Sequence, residues 1–444
     1  MALKKCAMTN CKTARIEFLP SKNKKIEVEF VDKDITSDGG ILLLREVDKI
    51  NNFTHRISSC IPEYRDPNRV IHSIDTMVKQ RIYGLALGYE DVNDQDKLRK
   101  DKAMIIATDQ SHELASSPTI CRLENAVNRR AAVLIHKVMI DVFIKAHKKP
   151  PKQITLDADP TDLTIHGEQE GKHYHAYYGS NCFLPLNIFC GEHLLVNYLR
   201  PSNIDGSKHC WVILALLVKY IRKHWPNVNI IFRGDCAFSR DKILTWCEKN
   251  NVRYIVGQSS NEVLKRKSKG LLSRAANDYE KTGVKQKLFD QDFYAAKSWS
   301  KQRKIVMKAE YGIKGDNLRF VVTNLRGLPE SIYNQCYCPR GDMENRIKEL
   351  KLDCHADRMS CSDWWPNQLR LLFSSCAYIL LDILRRTALR NTKLKNATCR
   401  TIRLTLLKLG AIVKSNTRRV VFIMSQHLVN KTLFYTSVQN LQYG

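Results

Sequence analysis

The stretch ITLDADPTD, residues 154–162, is an apolar run that reads as a strand and carries Asp157 and Asp159 two residues apart. That spacing sends both carboxylates to one face of the strand. Pro160 has no N–H for a sheet ladder and marks the strand end, where open α/β sheets gather their catalytic groups. A lone Asp-x-Asp pair suits an exposed turn cap equally well, so the reading depends on what else the chain offers. Asp235, in IIFRGDCAF (230–238), again ends an apolar strand, with Arg233 and the flexible Gly234 before it. Glu344, in YCPRGDMENRIKELK (337–351), opens an amphipathic helix rich in basic side chains. Three carboxylates on two strands and a helix suit a pair of hard divalent cations over a phosphodiester.

The surroundings of Glu344 are informative. Tyr337, Arg340, Glu344 and Lys351 are separated by two, three and six residues. For a helix beginning near Gly341, Glu344, Lys348 and Lys351 share a face at i, i+4 and i+7, with Arg340 just ahead of them. A surface ion-pair ladder has this composition. So does a site in which Tyr, Arg and Lys grip a phosphate beside an acid.

Working outward, KAHKKPPK (145–152) makes a domain boundary through its paired prolines and charges. Before it, GGILLLREVDKI, VIHSIDTMVKQRIYGLALGY and RRAAVLIHKVMIDVFIKAHKK carry apolar residues at helical spacing. After it, QITLDAD, FLPLNIFCG and HLLVNYLRP read as consecutive strands, the last two joined by a tight turn at Gly191 and Glu192. Helices then alternate with the strands NIIFRGD and VRYIVGQSS, which predicts a mixed sheet covered by helices. Residues 262–330 begin Lys-rich and continue as short strands, a β-rich insertion. Helical patterning returns at 341–353 and in NQLRLLFSSCAYILLDILRR. From residue 383 onward there is no Asp or Glu, but twelve Lys or Arg interleave with LTLLKLGAIV and VVFIM. A partly folded basic face is expected there.

Lys plus Arg number 72 against 45 Asp plus Glu in 444 residues, a formal charge of +27. A polyanionic partner is favoured through counterion release. No apolar run approaches the roughly 18–20 residues that span a bilayer, and MALKKCAMTNCKTAR lacks a signal-peptide core. A membrane partner is not expected. Fifteen scattered cysteines make a poor disulfide framework. Cys6 with Cys11, Cys336 with Cys338, and Cys354 with His355 and Cys361 are irregular as zinc sets, and reduced thiols are the plainer reading.

The set Tyr337–Arg340–Glu344–Lys351 resembles the signature around the third acid of bacterial insertion-sequence transposases of the DDE superfamily. The resemblance extends from about residue 35 to 420 through YEDVNDQDKLRKD, LDADPTD, HGEQEG, PLNIFCG, LRPSN, IIFRGDCAF, RGDMENRIKELK and NQLRLL. It implies an RNase H-like catalytic core, residues 151–261 and 331–390, interrupted by the β-rich insertion 262–330. Ahead of the core it implies a mobile basic lead-in, 1–35, and a helical DNA-binding region, 36–150. A basic C-terminal segment, 391–444, follows. Asp159, Asp235 and Glu344 map to the catalytic triad, with Asp157 the alternative first acid and further metal ligand, and Asp162 a distant third. Pro160 stands where the family has a small residue.

The chemistry so implied is two-metal phosphoryl transfer, with Asp159 bridging two Mg²⁺ ions and Asp235 and Glu344 each holding one side; Mn²⁺ is a substitute. Tyr337, Arg340, Lys348 and Lys351 would contact DNA phosphates. The implied partners are double-stranded DNA, as terminal inverted repeats and target, and a second copy of the chain when two ends are paired. The implied location is the bacterial cytoplasm beside the nucleoid. A catalytically inactive DNA-binding regulator derived from such an enzyme is the alternative, and a stand-alone nuclease a third reading. Of the remaining residues, His166, His173 and His175 are candidate bases, and Gln169 and Arg370 follow the family pattern. Trp225, Trp246, Trp364 and Trp365 read as packing, while Trp299 is the candidate stacking platform for a displaced base.

Overall fold

A computed structural model describes residues 15–443. Near the start, β1 (Ile16–Ser21) and β2 (Lys24–Val28) form a hairpin, and β3 (Asp34–Thr36) leads into helices, among them Ile41–Asn51, Ile74–Leu87 and Arg129–Lys145. Strand β4 (Gln153–Pro160) starts the main sheet. The short strands β5 (Leu163–Thr164), β6 (His173–His175) and β7 (Ser180–Phe183) form a small sheet of their own. Then come β8 (Leu186–Cys190), β9 (His193–Tyr198), the helix Cys210–His224, β10 (Asn229–Gly234), the helix Asp241–Lys249 and β11 (Val252–Gln258). The helix Glu262–Thr282 precedes β12 (Gln286–Tyr294), β13 (Arg303–Gly312) and β14 (Gly315–Thr323). Helices Gly341–Lys348 and Trp364–Thr387, strands β15 (Ala411–Ser415) and β16 (Val420–Met424), and the helix Lys431–Tyr443 complete the order.

The main sheet has eight strands in the order β12-β13-β14-β11-β10-β4-β8-β9. Strands β4, β10 and β11 run parallel; β8 is antiparallel to β4, and β14 is antiparallel to β11. Alternation along β4 sends Ile154, Leu156 and Ala158 into a core with Leu214, Leu217 and Ile221 of the helix Cys210–His224. On the opposite face, Ile231 and Ile255 pack with Val306, Val321 and Ile332. The register pairs Gly234 of β10 with Ala158 of β4, so the residues that follow, Asp235 and Asp159, leave neighbouring strand ends. The expected turn at Gly191 and Glu192 joins β8 to β9, and Gly191 supplies its left-handed φ of 59°.

The helix Trp364–Thr387 is buried on nearly all sides, as a central element must be. It packs with the N-terminal helices and with Leu406 and Leu407 in one apolar cluster. Strand β15 pairs with both β16 and β3, Ala411 lying opposite Thr36.

Three features of the organisation add to the expected division. Of the expected mobile lead-in, residues 1–14 fall outside the described residues, while 16–28 form a hairpin and 34–36 pair with β15. The N-terminal helices and the C-terminal segment share a core rather than standing as separate units. Residues 262–330 begin with a 21-residue helix, and the three strands after it extend the main sheet through β14. Free hydrogen-bonding groups at the β11 edge explain that continuity.

Candidate active site

Asp159 stands at the end of β4 and is 17% exposed. Asp235 caps the short helical turn Cys236–Phe238, its Oδ1 accepting from Ala237 N at 2.9 Å. Glu344 lies in the helix Gly341–Lys348, which continues the helical turns Ile332–Tyr337 and Cys338–Arg340 without a break, so the helix does not begin at Gly341 as the spacing assumed. Arg340 links two of the three. Its Nη2 donates to Glu344 Oε1 at 2.9 Å, and its Nη1 lies 3.6 Å from Asp159 Oδ1.

The electrostatics show the acids as a cluster. Burial is the main influence raising the Asp159 carboxyl, and Asp235, Glu344 and Asp157 add to it, so that despite Arg340 it is pushed up to about 7. Burial also raises Asp235, with the Ala237 N–H and Arg340 opposing and Asp205 adding. For Arg340, burial works against the charged form, but Asp159, Tyr337, Glu344 and Asp235 outweigh it and raise the guanidinium.

Three carboxylates form an all-oxygen donor set of the kind hard divalent cations take. Among the described residues, however, no three His, Cys, Asp or Glu already stand in metal-holding positions. Arg340 bridges Asp159 and Glu344 and balances their charge. The donor types are those of a divalent-cation site, although the three acids as they stand do not form one.

Several predicted members stand elsewhere. Asp157 is not a free ligand: its carboxylate is held at both oxygens by Arg233, Nη2 lying 2.8 Å from Oδ2. Arg233 also donates to Cys336 O at 2.7 Å, tying two strands to the chain before the third acid. Lys351 donates to Asp162 O at 2.7 Å and lies 3.2 Å from its Oδ1, so it fastens the Glu344 region to the loop after β4. Lys348 follows Glu344 by four residues within the same α-helix. It lines a cleft of about 880 Å³ with Asp342, Asn345, Asp157 and Arg233, a cleft that none of the triad lines. The π-helical turn Glu349–Asp353 breaks the assumed α-spacing after Lys348. Tyr337 belongs to the site's wall: a methyl at Gly257 would stand 2.7 Å from its Oη and 3.0 Å from Cys236 N. Glycine at that position in β11 leaves room for the phenol beside Asp235.

Other candidates stand away from the acids or make contacts of their own. Arg370, half-buried, donates to Glu124 Oε2 at 2.7 Å while the buried Arg81 donates to Oε1 at 3.1 Å. Gln169 Nε2 donates to Met359 O at 3.2 Å. His166 and His173 are exposed, and His175 packs against Tyr178 at 4.9 Å. Trp299 is 8% exposed and packs edge-on to Tyr294 at 5.5 Å, with Arg303 over its ring at 5.4 Å, so it presents no free stacking face. Trp299→Ala should cost about 3–5 kcal/mol in urea denaturation, as large core truncations do. A change below about 1 kcal/mol would remove the packing role.

Reading the sequence missed the pairing of Arg233 with Asp157 and the closeness of Tyr178 to Asp159 and Asp162. A signal for Arg233 was present. It precedes Asp235 by two residues as Asp157 precedes Asp159, so parallel pairing in register sets opposite charges side by side.

The family model for the transposase DDE domain, group 1, matches residues 18–443, and the chain belongs to that family. At family level this implies polynucleotidyl transferase activity. Among solved structures, a piggyBac transposase synaptic complex with hairpin DNA, seen by electron cryo-microscopy, is similar over 85% of this chain and 83% of its own. Identity there is 13% and the TM-score 0.41. No curated protein matches the chain significantly. No helix among the described residues is long and apolar enough to cross a membrane.

Proposed function

We propose that this chain is the transposase of a bacterial insertion sequence, binding its terminal inverted repeats and cutting and joining DNA by cut-and-paste. Asp159, Asp235 and Glu344 are the catalytic acids of this reading. The observation that carries it is that Asp159 and Asp235 leave adjoining strand ends while Arg340 links Asp159 to Glu344 on the helix Gly341–Lys348. The strand order β9-β8-β4-β10-β11, with β4, β10 and β11 parallel, supports an RNase H-like core. The charge of +27 supports a DNA partner. Two DNA ends held together call for at least two copies of the chain.

Bound Mg²⁺ or Mn²⁺ would supply Lewis-acid activation of a water or 3′-hydroxyl and offset charge on the leaving oxygen. The chain's own part is geometric. Asp159 and Asp235 offer oxygens from neighbouring strand ends, and Glu344 offers its own from the helix. Arg340, freed from Glu344 and Asp159, is placed to take a phosphate oxygen as a bidentate donor. Tyr337 walls the site beside Asp235. Lys351 and Arg233 hold the supporting loops in place through Asp162 and Asp157.

The test is nicking of a duplex carrying the element's own ends, in Mg²⁺, by the wild type, Asp235→Asn and Glu344→Gln. Loss on the order of 10²–10³-fold in both variants, with end binding retained, is expected. Wild-type protein that binds the ends yet never cuts or joins them in Mg²⁺ or Mn²⁺ would leave only a DNA-binding regulator.

A further inference from the structure

Arg200, in LRPSN (199–203), is completely buried. A buried guanidinium is costly unless its donors are satisfied. Two of its three nitrogens are directed at backbone: Nε donates to Leu184 O at 2.8 Å, and Nη1 donates to Gly206 O at 2.9 Å and Lys208 O at 2.6 Å, while Nη2 is buried without a partner among the described residues. The loop thus gripped, residues 201–209, is braced further. Ser202 Oγ donates to His173 O at 2.7 Å, and Asp205 accepts from Ser207 N at 2.8 Å while pairing with Arg240.

Its tip reaches the two strand ends that bear acids. A methyl at Gly206 would lie 3.4 Å from Pro160 Cγ and 3.5 Å from Ala237 Cβ, ordinary van der Waals contact with both. Pro160 directly follows Asp159, and Ala237 N is the donor that orients Asp235. The loop therefore borders both acid-bearing segments at once, with room for about one methyl between.

We propose that Arg200 is a positioning residue, which fixes the 201–209 loop as a spacer setting the separation of the Asp159 and Asp235 carboxylates for a divalent cation. This rests on the catalytic reading of those two acids. Lysine cannot replace Arg200 fully, because one ammonium cannot reproduce a planar fork reaching three carbonyls.

The experiment is calorimetric titration of the full chain with Mn²⁺ alone, beside urea denaturation and duplex-DNA binding in EDTA. Arg200→Met is expected to weaken Mn²⁺ binding tenfold or more, Arg200→Lys by less, while cooperative unfolding persists and metal-free DNA binding stays within twofold. Gly206→Ile, whose branched side chain presses on Pro160 and Ala237, keeps both the Arg200 side chain and the residue-206 carbonyl that accepts from it, and should weaken Mn²⁺ binding similarly. It decides the question if Arg200→Met fails to fold. Mn²⁺ affinity within twofold of wild type in the folded variants overturns the spacer role. Wild-type protein that takes up no Mn²⁺ overturns the spacer and the catalytic reading together, whereas tight wild-type binding unchanged in the variants overturns the spacer alone.

Discussion

Asp159→Asn should abolish DNA cleavage, by on the order of 10³-fold, and at the same time stabilise the metal-free protein at pH 8. The two effects share a cause. The Asp159 carboxyl is held at about 7 in the folded chain, above its ordinary value of 3.8, mainly by burial and then by Asp235, Glu344 and Asp157. The folded state therefore keeps a proton that the unfolded chain releases. This contribution to folding is whole below pH 3.8 and is withdrawn as pH rises toward 7. The gap amounts to roughly 4 kcal/mol across the full interval. An amide needs no proton, and a gain of about 1–3 kcal/mol at pH 8 is expected, the larger part absent at pH 5. Urea denaturation in EDTA at both pH values measures it. An equal gain at both, or a loss at pH 8, would remove Asp159 from the repelling cluster.

Glu124→Gln should be strongly destabilising, at about 3–5 kcal/mol. Glu124 is wholly buried and is shared between Arg81 at 3.1 Å and Arg370 at 2.7 Å. The amide keeps the shape but removes the one negative charge between two guanidiniums, leaving both uncompensated. Arg81 sits on the helix Ile74–Leu87 and Arg370 on the helix Trp364–Thr387, so the damage falls where the N-terminal helices meet the central helix. Chemical denaturation gives the cost directly. A penalty under about 1 kcal/mol would mean that water reaches the cluster.

What the sequence made legible follows from period and punctuation. Strand β4 and its end were marked by the apolar run with Pro160, β10 by the apolar run before Gly234, and the Gly191–Glu192 turn by its residue types. The helix Glu262–Thr282 was missed although Leu264, Ser268, Leu271 and Ala275 share its buried stripe, Asn261 caps it and Gly283 ends it with a φ of 67°. Its many lysines masked the stripe. Asp157 and Asp159 are alike by spacing, and only the register with Arg233 separates them. Lys351 departs from the assumed seven-residue spacing because the turn Glu349–Asp353 is π-helical. Trp299 and Arg370 carry types common at binding surfaces, and burial is a property of the whole fold that local pattern does not contain.

The pairing of β3 with β15 has a consequence for synthesis on the ribosome. Thr36 emerges early, and its sheet neighbour Ala411 is translated only after nearly everything else has been made. Until then the helices Ile41–Asn51 and Ile74–Leu87 also lack Leu406 and Leu407 from their apolar cluster. Vectorial folding can therefore finish the central sheet before it finishes the region that comes first in the message. A nascent chain stays incomplete at its leading end for most of its translation, and premature termination before residue 411 yields a product whose first hundred residues lack their closing partner.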